Sequence, residues 1–385
     1  MDREKSLFIV LLFILYSVCI YQDSFFARII QVGPGRVITT PSAAANIAVD
    51  GDTIDIDAAE YVSDVATWSQ NNLLIRGIGG RPHLRANGNE IMGKGTWVII
   101  GNNITIENIE FSEASVPDEN GAGIRQEGYG LTVRNCYFHD NENGILGLGG
   151  NVTIEYCEFA NNGFGDGQSH NVYISWGDVF TFRFNYSHHT KIGHNVKSRS
   201  KISYVEYNRI MDEKSGTSSY AIDIPDGGLT YIIGNLLQQG PFTDNHHAIV
   251  SYAAESASHP DQMLYVINNT FVNDYGPNGT HIYVRRGTTA KIQNNIFAGG
   301  GRILNGPGNL IKNWIVDDPN FVDISNYDYR LTEHSTGAID QGGDPGTGHH
   351  YDLKPLWHYI HPTNKKNRVS RDQIDIGAYE WNEDR

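Results

Sequence analysis

A short alternating pattern returns along most of the chain. It reads ITIENIEF ending at Phe111, LTVRNCYF at Phe138, VTIEYCEF at Phe159 and FTFRFNYS at Ser187. It continues as SYVEYNRI at Ile210, TYIIGNLL at Leu237, LYVINNTF at Phe271 and AKIQNNIF at Phe297. Between Ile106, Val133, Ile154, Phe182, Val205, Ile232, Val266 and Ile292 the steps are 27, 21, 28, 23, 27, 34 and 26 residues. A period of this length, with two-residue alternation inside each unit, marks a β-solenoid. No amphipathic helical segment separates the units, which excludes leucine-rich and alternating α/β repeats.

Three residues beyond each anchor stand Ile109, Cys136, Cys157, Asn185, Asn208, Asn235, Asn269 and Asn295. Asn at one position of successive coils predicts a buried amide ladder, each side chain bonding its equivalent about 4.8 Å away. Cys136 and Cys157 fall in the same column and are expected as stacked thiols, because parallel side-chain vectors suit a disulfide poorly. A second strand is expected nine or ten residues before most anchors, with Ile124, Ile145, Val172, Val196, Ile222, Ile249 and Ile282 pointing inward. Their successors Arg125, Leu146, Tyr173, Lys197, Asp223, Val250 and Tyr283 then form an outer column. Glu127, Ser175, Arg199, Tyr252 and Arg285 lie two residues further on.

The ends differ from the middle. An apolar run from Leu7 to about Ile20 follows the charged residues 2–5 and matches the core of an export signal, so residues 1–24 read as a signal peptide or an N-terminal membrane anchor. Beyond it, an Ala-rich helix with Ser42 as N-cap and a strand over Thr53–Asp57 form an entry cap that shields the open sheet edge. The parallel β-helix proper spans 28–310. Residues 311–385 read as the end of the helix and a loop-rich C-terminal cap, with 344–373 an extended surface segment and a last strand over Ile374–Trp381. The fold class is thus all-β, one capped solenoid.

These repeats resemble those of right-handed parallel β-helix proteins, the pectate-lyase-like superfamily, over roughly residues 36–340. The run DGQSHNVYI, FNYSHHTKIGHNVKSRS, SYAIDIPDGG and GNLLQQGP, with the closing DIGAYEW, is similar to a bacterial group of that fold. The resemblance implies a right-handed coil and, as a substrate class, uronate polymers that are cleaved or epimerised.

Charge narrows where chemistry would sit. The chain is acidic overall, at −15, which argues against nucleic acid as a partner. Yet residues 183–210 carry Arg183, Lys191, Lys197, Arg199, Lys201 and Arg209 against Glu206 alone, with His188, His189 and His194 among them. His170, His194, Tyr220 and His247 also recur two residues before the inward member of the second strand. An outer face around 170–250 could therefore receive an acidic sugar chain, with Arg125, His170, Tyr220, His247, Tyr252 and Arg285 as binding residues.

Removing the C5 proton of a uronate needs a cation against the carboxylate, here Arg199. It also needs a base, Lys197 (its pKa lowered by cationic neighbours) or His194, and an acid such as Tyr173. Asp223 is placed to pair with Lys197. Paired carboxylates among Asp166, Asp223 and Asp226 would instead suit a glycoside hydrolase, and outward aromatic residues would suit a non-catalytic glycan-binding adhesin. Asp226-Gly227-Gly228 reads first as a turn. Calcium could assist through Asp or Glu oxygens, although no dedicated loop is visible, and His188, His189 and His194 fit no standard zinc spacing. The expected partner is an acidic polysaccharide or envelope glycan, the expected location outside the cytoplasm, and the only expected membrane contact the N-terminal segment.

Overall fold

The computed structural model describes residues 27–370 and 372–381, so the expected N-terminal signal or anchor, residues 1–24, lies outside the described residues. The chain winds as a right-handed parallel β-helix, the hand that parallel crossovers adopt. Each regular coil lays down three strands. In one coil these are Ala122–Gln126 on a first face, Leu131–Arg134 on a second and Tyr137–His139 on a third. Each pairs in parallel with its equivalent one coil away, Ile124 with Ile145, Val133 with Ile154 and Phe138 with Phe159. In two coils the first and second strands fuse into long runs, Val172–Arg183 and His194–Glu206.

The amide ladder is present and extends one rung beyond the sequence expectation. Asn185, Asn208, Asn235, Asn269 and Asn295 each pass an Nδ2–H to the Oδ1 of the next, the row ending at Asn313, at 2.9–3.1 Å. Each Oδ1 from Asn208 to Asn313 also accepts the backbone N–H of the preceding rung, as Asn235 does from Asn208 at 2.9 Å. The remaining amide hydrogen goes to a backbone carbonyl, for example Asn235 to Val205 at 2.8 Å. Every polar atom of these buried side chains is therefore satisfied. Cys136 and Cys157 continue the column as free buried thiols, the Cys157 thiol pushed well up by burial and by Cys136 beside it.

The ladder sits at the corner between the second and third strands, where the chain turns through a left-handed residue. Asn108, Asn135, Tyr156, Phe184, Tyr207, Asn268 and Asn294 have φ of 52–60° there, and Gly234 has φ of 68°. Left-handed backbone costs a non-glycine residue about 1–2 kcal/mol, so this corner persists only where neighbouring bonds over-determine it. Tyr156, Phe184 and Tyr207 recover part of that cost by stacking at 5.1 and 5.5 Å. Inside the coil, Phe111, Phe138 and Phe159 stack nearly parallel at 5.0 and 4.9 Å. A second buried amide row, Asn141, Asn162, Asn171 and Asn195, bonds across the turn after the third strand at 2.9–3.0 Å.

The termini depart from the sequence reading in three places. The entry helix is Pro41–Ala45 and its N-cap is Thr40, whose hydroxyl accepts from Ala43. Ser42 instead donates its backbone N–H and its hydroxyl to the Asp64 carboxylate. Residues Ile374–Trp381 form no strand, and the segment before them contains an antiparallel hairpin, Trp357–Ile360 with Asn364–Asn367. Their contacts lie along the flank of the coils. Tyr351 donates to Glu206, Tyr231 donates to the Gly348 carbonyl and Leu356 N–H donates to Tyr207. Ile376, Ala378 and Tyr379 pack on Leu236, Val272 and Ile296. A buried Arg368–Glu380 ion pair at 2.7 Å ties the tail together. These contacts fall on the second and third faces.

Replacing Asn235 by Ala strands the Asn208 backbone N–H, one Asn208 amide hydrogen and the Val205 carbonyl in the interior. Each buried orphan costs about 1–3 kcal/mol, so Asn235→Ala should lower the unfolding free energy by about 3 kcal/mol or more in a denaturant titration. Asn313→Ala, at the less buried end of the row, should cost less. Equal and small losses at both positions would contradict a cooperative ladder.

Candidate functional site

The first face carries the candidate site. Register places Tyr173 beside Lys197 and Lys197 beside Asp223, on three successive coils. Between Ile174 and Gly177 the pairing skips, so that Ser175 and Trp176 together oppose Arg199. Such a bulge bends a strand and re-aims its side chains. Trp176 is turned out to 74% exposure. The strand closes up again at Gly177, where a Cβ would come 2.0 Å from Ser200 Oγ.

Around this bulge the side chains form a linked set. Arg199 donates from Nε to Tyr173 Oη at 2.9 Å and from one terminal nitrogen to Asp226 Oδ1 at 2.9 Å. Its other terminal nitrogen donates to Glu255. Lys197 Nζ lies 3.5 Å from Asp223 Oδ2, 3.8 Å from Glu255 Oε1 and 5.2 Å from the centre of the Tyr173 ring. His194 Nε2 meets the same Asp223 oxygen at 3.1 Å. The His194 ring packs against His170 at 4.7 Å and Tyr220 at 5.0 Å. His194 Nδ1 is buried without a protein hydrogen-bond partner.

Burial would raise the Asp223 carboxyl, but His194 and Lys197 together outweigh it and hold the group below its ordinary range. Burial works against the Arg199 charge, yet Glu255, Asp226 and Tyr173 hold its pKa above the usual value. The His170 ring is driven well below the usual value by burial first, then by His194, Lys197 and Arg199. One fixed anion, one fixed cation and one neutral imidazole thus stand within a single cluster.

Sequence reasoning missed two contributors, Glu255 and His259. Both lie on the loop that follows Tyr252, the insertion that lengthens the 232–266 step to 34 residues. Ser256 Oγ donates to Asp226 at 2.8 Å, and the His259 ring contacts the Arg199 carbonyl at 3.2 Å, so the loop is docked onto the basic strand. The longest step of the repeat, falling next to its most basic coil, was the available signal. Asp226, read first as a turn residue, is both turn and ion-pair partner. Tyr173, Ser175, Trp176, Arg199, Asp226, Ser258 and His259 line an open cleft of about 340 Å³.

The expected residues divide. Lys197, Arg199, His194, Asp223, Tyr173, His170 and Tyr220 come together. Arg125 stands two coils from Tyr173, paired with Glu127 at 2.8 Å. His247 is exposed against Tyr283, and Arg285 lines a neighbouring recess of about 310 Å³ with Tyr283 and Arg286. Tyr252 is a correction. Val250 pairs with Ile222 and Ile282, so it points inward, and Ser251 takes the outer column next to Asp223. That one-residue slip turns Tyr252 into the core, where it is fully buried and donates to the Gly228 carbonyl.

Among solved structures, the crystal structure of pectate lyase Pel9A matches 92% of this chain and 96% of its own, with a TM-score of 0.59 and 14% sequence identity. At that identity the likeness is one of fold. No family model and no curated protein matches the sequence.

His170 generates a pH prediction. Its ring is kept neutral when folded, so below the ordinary value of 6.5 the unfolded chain binds the extra proton and the folded chain does not. The stability it contributes is complete above pH 6.5 and is lost as pH falls below it. Other buried histidines, His281 and His358, add to the same limb. His170→Gln should therefore flatten, not abolish, the fall in unfolding free energy below pH 6.5. An unchanged slope would contradict the assignment.

Proposed function

We propose that the chain is an exported enzyme acting on an acidic, uronate-containing polysaccharide, by β-elimination or C5 epimerisation, in the cleft beside Arg199. The observation that carries this reading is the open groove on the first face, where the bulge turns Trp176 outward beside Tyr173 and Arg199, with Lys197 against the Tyr173 ring. Aromatic faces flanking fixed cations suit a sugar ring bearing a carboxylate. The tail's contacts on the other two faces support the same choice of face. The structurally similar protein is a pectate lyase by name, which agrees with an acidic sugar as substrate class.

In this reading the substrate carboxylate takes the place of Glu255 on Arg199. Glu255 is 54% exposed at its side chain and is the partner most easily displaced. The guanidinium then stabilises charge that builds on the carboxylate as the C5 proton leaves. Lys197 in its uncharged form, or His194 behind the shared Asp223, takes that proton, the ion partners of Lys197 being the carboxylates of Asp223 and Glu255 rather than the cations expected from the sequence. For elimination, the electron pair forms the C4–C5 double bond as the C4–O bond breaks, and the Tyr173 phenol protonates the leaving oxygen. For epimerisation, the proton returns to C5 from the opposite side. Calcium, where required, would draw on Asp226 and Glu255 oxygens.

The test is ultraviolet absorbance over time with the full-length chain and a panel of uronate polymers, with calcium or with a chelator. Parallel samples in D2O report deuterium uptake at C5. Absorbance from a new conjugated double bond, or C5 exchange without it, is expected, and Lys197→Ala and Arg199→Ala should each lower the rate about 100-fold or more. Trp176→Ala should raise KM with a smaller effect on kcat. No absorbance and no exchange across the panel would overturn the reading, and new reducing ends in those samples would replace it with hydrolysis by the carboxylates.

A further inference from the structure

The third face bears a separate constellation on earlier coils, away from the cleft. His83 and Glu110 occupy equivalent outward positions on adjacent coils, and His139 lies one coil further and two residues along. Glu110 Oε1 is 3.1 Å from His139 Nε2 and 3.7 Å from His83 Nε2. All three donor atoms lie within 4.8 Å of one another. Their side chains are 19–26% exposed, so the cluster opens to solvent on one side.

The surroundings orient the ligand atoms. His139 Nδ1 is held by Asp140 Oδ2 at 2.9 Å, and its ring is stacked on Tyr137 at 4.5 Å. A carboxylate on the far nitrogen of an imidazole is the arrangement that aims and strengthens a metal-binding histidine. When Nδ1–H serves Asp140, the Nε2 lone pair faces the acceptor-only carboxylate of Glu110, and a cation between them removes the mismatch. His83 Nε2 is 2.7 Å from the buried Ser112 hydroxyl, a contact that a cation on this nitrogen would replace.

We propose that His83, Glu110 and His139 bind a zinc-class divalent transition-metal ion that cross-links three successive coils. Tetrahedral zinc bonds of about 2.0–2.1 Å place ligand atoms about 3.4 Å apart, and the two Glu110 contacts lie on either side of that spacing. Two imidazoles and one carboxylate suit first-row transition metals, whereas calcium and magnesium demand a shell of oxygens. Three protein ligands leave one coordination position for water. Nothing in this assignment draws on the first-face cleft. The sequence hides the set because its members are 27 and 29 residues apart. They converge only once the coil period is known.

The test uses the untagged full-length chain, freed of metal by chelation and titrated with cobalt(II), then zinc(II). One equivalent of cobalt should give strong visible bands of low-coordinate geometry, and zinc should displace it. The melting temperature should rise with the logarithm of zinc concentration. Glu110→Gln and His139→Ala should each weaken binding more than tenfold, and Asp140→Asn about tenfold. His188→Ala should leave binding intact, because the neighbouring His188–Glu158 contact at 3.3 Å is the rival location. Circular dichroism checks that each variant is folded. Absent bands, bands that survive His83→Ala/His139→Ala, or equal competition by calcium would overturn the proposal.

Discussion

The row of asparagines at the second corner is what allows the coils to stack in register. A left-handed turn is unfavourable for Phe184 and Tyr207 taken singly. The amide beside each turn accepts two hydrogen bonds from the coil below and gives two away, one of them to the coil above. A slip of one residue would turn these amides out of the stack and break every rung of the ladder. Register and burial of the core are thereby set together, coil by coil.

That fixed register is also what makes the first face usable. Coil-to-coil spacing stays constant at the corner while the loops between strands vary, so extra residues can be inserted without disturbing the stack. Two such departures meet at Arg199. A bulge lengthens the strand before it and turns Trp176 outward, and the long insertion after Tyr252 brings Glu255, Ser256 and His259 across it. The C-terminal segment meanwhile lies against the stacked tyrosines 204, 231 and 265 and against Leu236, Val272 and Ile296.

Much of this was legible in the chain, for physical reasons that differ by element. The solenoid and the Asn column follow from strict spacing, and the Tyr173–Lys197–Asp223 column from alternation in well-patterned strands. Alternation failed at Ala248-Ile249-Val250, where a continuous apolar run leaves the phase undetermined, and the slip misplaced Tyr252. At the entry helix the expected cap Ser42 gives way to Thr40, because Pro41 occupies the first helical turn, a position that proline favours. Glu255 and His259 sit on an irregular loop whose path no periodicity describes, so only the length of the step hinted at them. The tail's aromatic and apolar residues carry no regular repeat, and its hairpin emerges only against the flank it covers.

The account places recognition of an acidic sugar chain in the cleft between Trp176 and Arg199. Its most direct test is a crystal structure of the Lys197→Ala chain grown with a short oligouronate. The account predicts a sugar ring stacked on Trp176 with its carboxylate on Arg199 and Glu255 swung away. An oligosaccharide ordered on another face, or a saturated crystal with the cleft unchanged and Glu255 still on Arg199, would contradict it.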